Sequence, residues 1–233
     1  MTLAERRLEP EWLDVLPAAD PRACRSRRDL RRVNFLMGHR GILRRSLREA
    51  TAAKVPRRIV ELGAGDGTLM LGLARDLVAE WPGVTVQLID QQDLVQRDTL
   101  AEFERLGWTI ETVRSDLLSF MRGNRGRRAD LMLANLVLHH FEEAPLRELF
   151  AEIAGATDRF VALEPRRSAL ALAGGRALGL IGCNDVTRHD AVVSVQAGFR
   201  DRDLSRLWPD DGKWGLTESP AGLFSHLFIA RRR

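Results

Sequence analysis

Residues Glu61-Leu-Gly-Ala-Gly-Asp-Gly67 follow the apolar pair Ile59-Val60 and open a helix-patterned segment, which places three alternate glycines at a strand-to-helix turn. No other stretch of the chain restricts the fold as much. Glycine has no Cβ and takes positive φ without steric cost, so a nucleoside-bearing cofactor can pack against main chain that other residues would cover. The spacing is G-x-G-x-G. A dinucleotide fingerprint needs its third glycine one place later, where Thr68 stands, and a P-loop needs Gly-Lys followed by Ser or Thr, which is absent here. Phosphate recognition is not what this loop is spaced for.

From Arg57 onward, short apolar runs alternate with amphipathic segments, the pattern of βαβ units on a mainly parallel sheet. It predicts strands near residues 57–62, 84–89, 109–113, 130–135 and 159–163. Between the first two, Leu69, Met70, Leu73 and Leu77 share one helical face, and Trp81-Pro-Gly83 stops the helix. Trp214 to Gly222 and Leu223 to Ala230 read as a late hairpin. In open α/β sheets, ligands bind beyond the carboxyl ends of the strands where strand order reverses. The glycine loop, Asp90, Asp116 and Asn135 all fall at such ends.

The loop Glu61 to Gly67 resembles motif I of the class I S-adenosylmethionine-dependent methyltransferases, and three further stretches agree in order. Val84-Thr-Val-Gln-Leu-Ile-Asp90 ends, like the second strand of that family, in an acid suited to two neighbouring ribose hydroxyls. Asp116, in Val113-Arg-Ser-Asp-Leu-Leu118, is similar in place and type to the acid that holds the adenine amino group; Ser115-Asp116 reads equally as a helix cap. Asp130-Leu-Met-Leu-Ala-Asn-Leu-Val-Leu-His-His-Phe141 resembles the fourth strand of small-molecule methyltransferases, those of quinones and polyketides most. The resemblance spans residues 57 to 165. It implies an α/β fold: a Rossmann-like, seven-stranded, mainly parallel sheet over 57–233, closed by a C-terminal antiparallel hairpin and preceded by a helical extension or lid over 1–56. It also implies S-adenosyl-L-methionine as cofactor, held by Gly63, Ala64, Gly65 and Gly67, by Asp90 and Gln91, by Asp116 and Leu117, and by Glu61 and Asn135 at the methionine end.

A sulfonium methyl group is already activated, so transfer needs the acceptor held at near-attack distance in a water-poor site, plus a base where the acceptor is a hydroxyl. His189 is the first candidate: it sits in Asn184-Asp-Val-Thr-Arg-His-Asp190, expected to be a polar loop after the glycine-broken apolar stretch Ala169 to Gly182. A neutral imidazole accepts a proton near pH 7 where the neighbouring Arg188 cannot. His140 is the second candidate, Glu164 before Pro165 the carboxylate alternative, and His139 reads as a packing or capping residue. The metal ligands of catechol-type enzymes are not recognisable, so no metal is expected. Asn135 is followed by Leu-Val-Leu rather than the Pro-Pro motif of amino-group methylation on adenine or glutamine, and neither cysteine lies in the Pro-Cys context of cytosine-C5 enzymes. The reading is methyl transfer, at oxygen, to a small aromatic, polyketide-like or lipid-like acceptor. An RNA or protein methyltransferase and a noncatalytic cofactor-binding scaffold are the alternatives.

Composition agrees with one domain, or one domain with an appended cap: the chain has 233 residues and is 45% hydrophobic. The pI of 9.9 reflects arginine, since Lys54 and Lys213 are the sole lysines, but acids are interspersed and aromatics make up 6%, which argues against a nucleic-acid footprint. From Asp29 to Ala53 a basic helical pattern, interrupted at Gly38 and Gly41, admits three readings: a packing helix, a lid over the acceptor, or a membrane-surface contact. The last two place the acceptor near Phe35, Met37 and His39. Cys24 and Cys183 are too few for a disulfide framework or a zinc site, and no run approaches the roughly 18 apolar residues of a membrane span, so a cytoplasmic location is expected. Oligomeric state is left open.

Overall fold

The computed structural model describes residues 3–52, 54–209 and 211–233. Five strands, β1 (Arg58–Leu62), β2 (Thr85–Asp90), β3 (Thr109–Arg114), β4 (Leu131–Asn135) and β5 (Arg159–Pro165), run parallel. The late hairpin, β6 (Trp214–Ala221) and β7 (Ser225–Arg232), adds antiparallel to β5. The order is β3-β2-β1-β4-β5-β7-β6. Strand order reverses between β1 and β4, so the glycine loop after β1 and the segment after β4 open side by side at the carboxyl edge.

The period of two along each strand divides the core between the two faces of the sheet. Val60 and Leu62 pack with Phe150, Phe160 and Trp208 on one side, against α6 (Leu117–Gly123) and α7 (Glu143–Ala156). Ile59 joins Leu73, Leu77 and Phe103 on the other, against α4 (Thr68–Leu77) and α5 (Arg97–Arg105). Leu43 and Leu47 bury fully in this second cluster, each worth about 1.5–3 kcal/mol, and thereby fasten the N-terminal helix α3 (His39–Ala50) to the sheet.

Ahead of α3 lie α1 (Trp12–Val15) and α2 (Pro21–Leu36). Asp20 caps α2, accepting from Arg22 N at 2.7 Å, and Pro21 occupies its first turn, so the basic helix begins earlier than the pattern from Asp29 indicates. Gly38, at φ 72°, turns the chain between α2 and α3, whereas Gly41 lies inside α3. After β5 come α8 (Ala169–Ala177) and α9 (Asp185–Ala197). The stretch 184–190, expected as a loop, is the start of α9: Asn184 caps it by accepting from Thr187 N at 2.9 Å, and Val186, Val193 and Val195 bury one face.

Candidate active site

The amides of Gly63 and Ala64 donate to Ile89 O at 2.9 and 3.0 Å, pinning the glycine loop to the end of β2. Gly63, Gly65 and Gly67 all take positive φ. A Cβ on Gly63 would stand 2.6 Å from Val137 Cγ2, so that glycine lets the segment after β4 pack close. A Cβ on Gly65 would meet nothing within 4 Å; this glycine borders open space. Asp90 accepts from Gly65 N at 2.8 Å through one oxygen and from Gln92 N at 2.9 Å through the other, and each oxygen keeps a lone pair for a further donor.

One buried oxygen nearby, Glu61 Oε2, has no hydrogen-bond partner among the described residues, while the Asn135 side chain faces the buried His39 ring. Burial, with Asp66 and Asp90 adding negative charge, pushes the Glu61 carboxyl up to about 8, so it carries its proton at neutral pH. Asp116 is exposed and caps α6 through Ser119 N at 2.9 Å, while Leu117 beside it is buried.

A cavity of about 700 Å³ opens at this edge. Gly63, Asp90, Gln91 and Leu117 line one end; Glu61, Ala64, Gly65, Gly67, Asp116 and Asn135 are not among the lining residues. Leu136, Val137 and Phe141 follow, and Glu11, Asp14, His139 and His140 form a polar flank. Apolar side chains of α2, α8 and α9 and of the residues just after α2 and α8 supply the rest, among them Leu30, Val33, Met37, Ala171, Leu178 and Val195.

The polar flank is organised by Glu164. Leu136 sits at φ 56°, rare for a side chain of its size, and turns the chain sharply after β4. Glu164, at the end of β5, receives the amides of Val137, Leu138 and His139 at 3.1, 2.9 and 3.3 Å, together with His139 Nδ1 at 2.7 Å. It is fully buried, yet those donors, His139 foremost, hold its carboxyl below the usual range against the cost of burial. Glu164 therefore does not face an acceptor, as the sequence reading had it, but holds His139 in place.

The other ring nitrogen of His139, Nε2, lies 3.3 Å from Glu11 Oε1, and Glu11 also accepts from Ser194 Oγ. Burial alone would drive the imidazolium down; hydrogen bonds to Glu11 and Glu164 overcome it and place His139 at about 9. His140 behaves oppositely, with burial and the charge on His139 pushing it down to about 4. Its Nδ1 lies 3.3 Å from Asp14, whose carboxyl is raised to about 6 by burial and by Glu11. Ligand atoms of Glu11, His139 and His140 lie within 4.8 Å of one another, a spacing a cation can bridge. Both ring nitrogens of His139 face carboxylates, Glu164 on one side and Glu11 on the other.

His189 is elsewhere. Its ring stacks on Trp12, centroids 4.0 Å apart and planes 10° from parallel, and its Nδ1 meets Asp190 Oδ1 at 2.9 Å. Asp190 also accepts from Trp12 N and Leu13 N at 2.8 and 3.0 Å. The pair clamps the N-terminal segment over the cavity, and His189 is not among the lining residues. That same clamp delivers Glu11 and Asp14, which nothing in the local sequence marks. His39 is buried 3.0 Å from Ser225 Oγ and driven down to about 4 by burial; of the three residues expected near the acceptor, Met37 alone lines the cavity.

No protein-family model and no curated protein matches the sequence. Among solved structures, the chain is similar to an O-methyltransferase family protein from Burkholderia thailandensis, with TM-score 0.63 and 22% identity over 92% of this chain and 61% of that one. The chain thus spans less than two thirds of that protein's length. It is also similar to the magnesium protoporphyrin IX methyltransferase from Synechocystis PCC 6803 with bound SAH, with TM-score 0.51 and 14% identity over 95% of this chain and 91% of that one. A third likeness is to a structure reported for the conversion of a disulfide bond into a thioacetal group during echinomycin biosynthesis, with TM-score 0.55 and 19% identity over 82% and 80% of the two chains. With the strand order, these likenesses establish the fold of the class I methyltransferases.

Proposed function

We propose that the chain transfers the methyl group of S-adenosyl-L-methionine to an oxygen of a small, largely apolar acceptor, with His139 as the base. One observation carries the reading: a single cavity joins the glycine loop and Asp90 to an imidazole anchored on a buried carboxylate. The residues at the first end fit the cofactor. Asp90 has lone pairs left for ribose hydroxyls with Gln91 beside it, Gly65 borders open space between Ala64 and Gly67, and the unpartnered Glu61 oxygen suits the polar methionine end, with Asn135 at the end of β4 meeting it through its main chain. Asp116 and Leu117 would meet the adenine. Once bound, the sulfonium supplies an activated methyl group.

The acceptor hydroxyl takes the place of the Glu11 oxygen at His139 Nε2, and Glu164 keeps the opposite N–H directed at itself. Losing one of two carboxylate partners brings His139 from about 9 towards neutrality, where a general base is most effective. With its pKa lowered, His139 first gives up its own Nε2 proton, then takes the hydroxyl proton at that nitrogen as the methyl group is transferred, and later returns it to solvent. His140, at about 4, binds a proton too weakly for that task and lines the site as a neutral ring. The apolar walls from α2, α8 and α9 exclude water from the reacting oxygen.

Calorimetry with S-adenosylhomocysteine and with NAD tests the cofactor end, where tighter binding of NAD would sink the reading. Mass spectrometry of metabolites from cells with and without the protein tests the acceptor end: a compound heavier by one methyl group is expected only where the protein is present.

A further inference from the structure

Leu36 and Ile181 line the cavity and are also exposed, so they mark where it meets solvent. Around that opening the apolar surface continues outward. Phe35 is 83% exposed, Leu36 68% and Leu180 89%, and Leu223 stands exposed beside the cavity-lining Phe224. Single exposed apolar residues need no explanation. Here they come from three separate elements, the C-terminal end of α2, the turn between α8 and α9, and the β6–β7 turn, and gather at one mouth.

Of these elements α2 carries the charge, six arginines against one acid, the buried Asp29. Leu30 and Val33 of α2 and Met37 just after it line the cavity, and the opposite side of the helix carries Arg25, Arg28 and Arg32 in a stripe that runs into Phe35. Arg25 and Arg32 reach the carbonyls of Gly182 and Ile181, which ties this stripe to the turn bearing Leu180. Arg188 lies against Gly179 in that turn, and neither it nor Arg28 has an ion-pair partner among the described residues. The nearby acids are occupied: Asp29 is buried against Arg32, and Asp185 pairs with Arg22 at 2.6 Å.

From this we infer that the face around the cavity mouth docks on a bilayer carrying anionic headgroups, with Phe35, Leu36 and Leu180 entering the acyl boundary and the arginines meeting the headgroups. An apolar patch collared by arginines is the composition of an interfacial helix. A second copy of the chain fits poorly, because a two-fold contact through this face would set the arginine stripes of both copies against each other. The acceptor follows from the docking: an amphipathic molecule, its hydroxyl-bearing ring reaching His139 and its apolar part in the membrane. This last step rests on the methyl-transfer reading; the docking does not.

The full chain is to be sedimented with vesicles of phosphatidylcholine alone and with vesicles containing phosphatidylglycerol. Binding to the anionic vesicles is expected, at least tenfold weaker on the neutral ones. The doubly substituted Phe35→Ser, Leu180→Ser chain should lose at least tenfold in partition to the anionic vesicles, and Arg28→Gln with Arg188→Gln should lose binding that raised salt also removes. Unchanged affinity for S-adenosylhomocysteine in both variants verifies their folding and keeps the two readings separable: vesicle binding without cofactor binding would end the methyl-transfer reading and leave the docking intact. The docking is overturned if the parent chain ignores anionic vesicles, if neither variant weakens binding, or if sedimentation velocity shows a dimer that the Phe35→Ser, Leu180→Ser chain abolishes.

Discussion

The two ends of the cavity are built by different means. At the glycine-loop end, the backbone makes the site: amides of Gly63 and Ala64 bond to the end of β2, three glycines take positive φ, and Asp90 meets the loop 25 residues away across two adjacent parallel strands. At the His139 end, side-chain charge makes it. Glu11 reaches His139 across 128 residues and Ser194 across 183, and the segment carrying Glu11 is held by Asp190 and by the stacking of Trp12 on His189. A backbone-built end tolerates changes in side-chain charge; an end built on a buried ion cluster does not. Substitutions should therefore act on the two ends independently and unequally.

The largest effect is expected at the charged end. His139→Gln should lower turnover by about 10²- to 10⁴-fold, the scale for removing a general base, with affinity for S-adenosylhomocysteine kept. His140→Gln is its control, and equal losses in both would move the base to the pair. Glu164→Ala comes next, because it leaves three amides and an imidazolium buried without their acceptor; about 3–5 kcal/mol of stability should go, measured by urea unfolding. A loss below about 1 kcal/mol would mean that this end does not hang on the carboxylate.

At the backbone-built end, Asp90→Ala should weaken S-adenosylhomocysteine by about 1.5–3 kcal/mol in calorimetry and leave the melting temperature close to that of the parent. If Asp90→Ala unfolds the charged cluster too, the ends are not independent.

A smaller effect is read as pH dependence. His139 has a folded-state pKa of about 9 against an ordinary 6.5, so its stabilising contribution is complete below 6.5 and is lost as pH rises through 9. Glu11→Gln removes one of the two carboxylates that raise it. The lower limb of the turnover profile should then move to lower pH by about one unit, and the fall in melting temperature between pH 6 and 9 should shrink. A limb that stays in place would show that another group titrates. The smallest change is expected for His189→Ala, which loses one stacked ring worth about 0.5–1.5 kcal/mol of stability, with turnover reduced less than tenfold.

The same contrast explains what could be read in advance. All five parallel strands and the late hairpin stand where the sequence pattern predicts them: β1, β2, β4 and β5 are buried along nearly their whole length, which leaves a local apolar mark, whereas the edge strand β3 is largely exposed and is marked by its β-branched Thr109, Ile110, Thr112 and Val113. The glycine spacing and the acid ending β2 are equally local. His189 misled because polarity was taken for a loop, although Asn184 followed by Val186 and Val193 carries the marks of a capped helix. Glu164 misled for another reason: an acid at a strand end has the same residue type whether it faces a ligand or receives buried amides.

The amino-acid sequence by itself determined the sheet, its order of elements and the glycine turn at the cofactor end, since these follow from periodicity and backbone freedom within short windows. Only the tertiary structure decided that Glu11 meets His139, that His139 and His140 titrate in opposite directions although adjacent, and that the apolar ends of α2 and of the turn after α8 share one mouth. Each of these depends on how burial and charge from distant segments sum at one point in space, and no local window of the chain holds that sum.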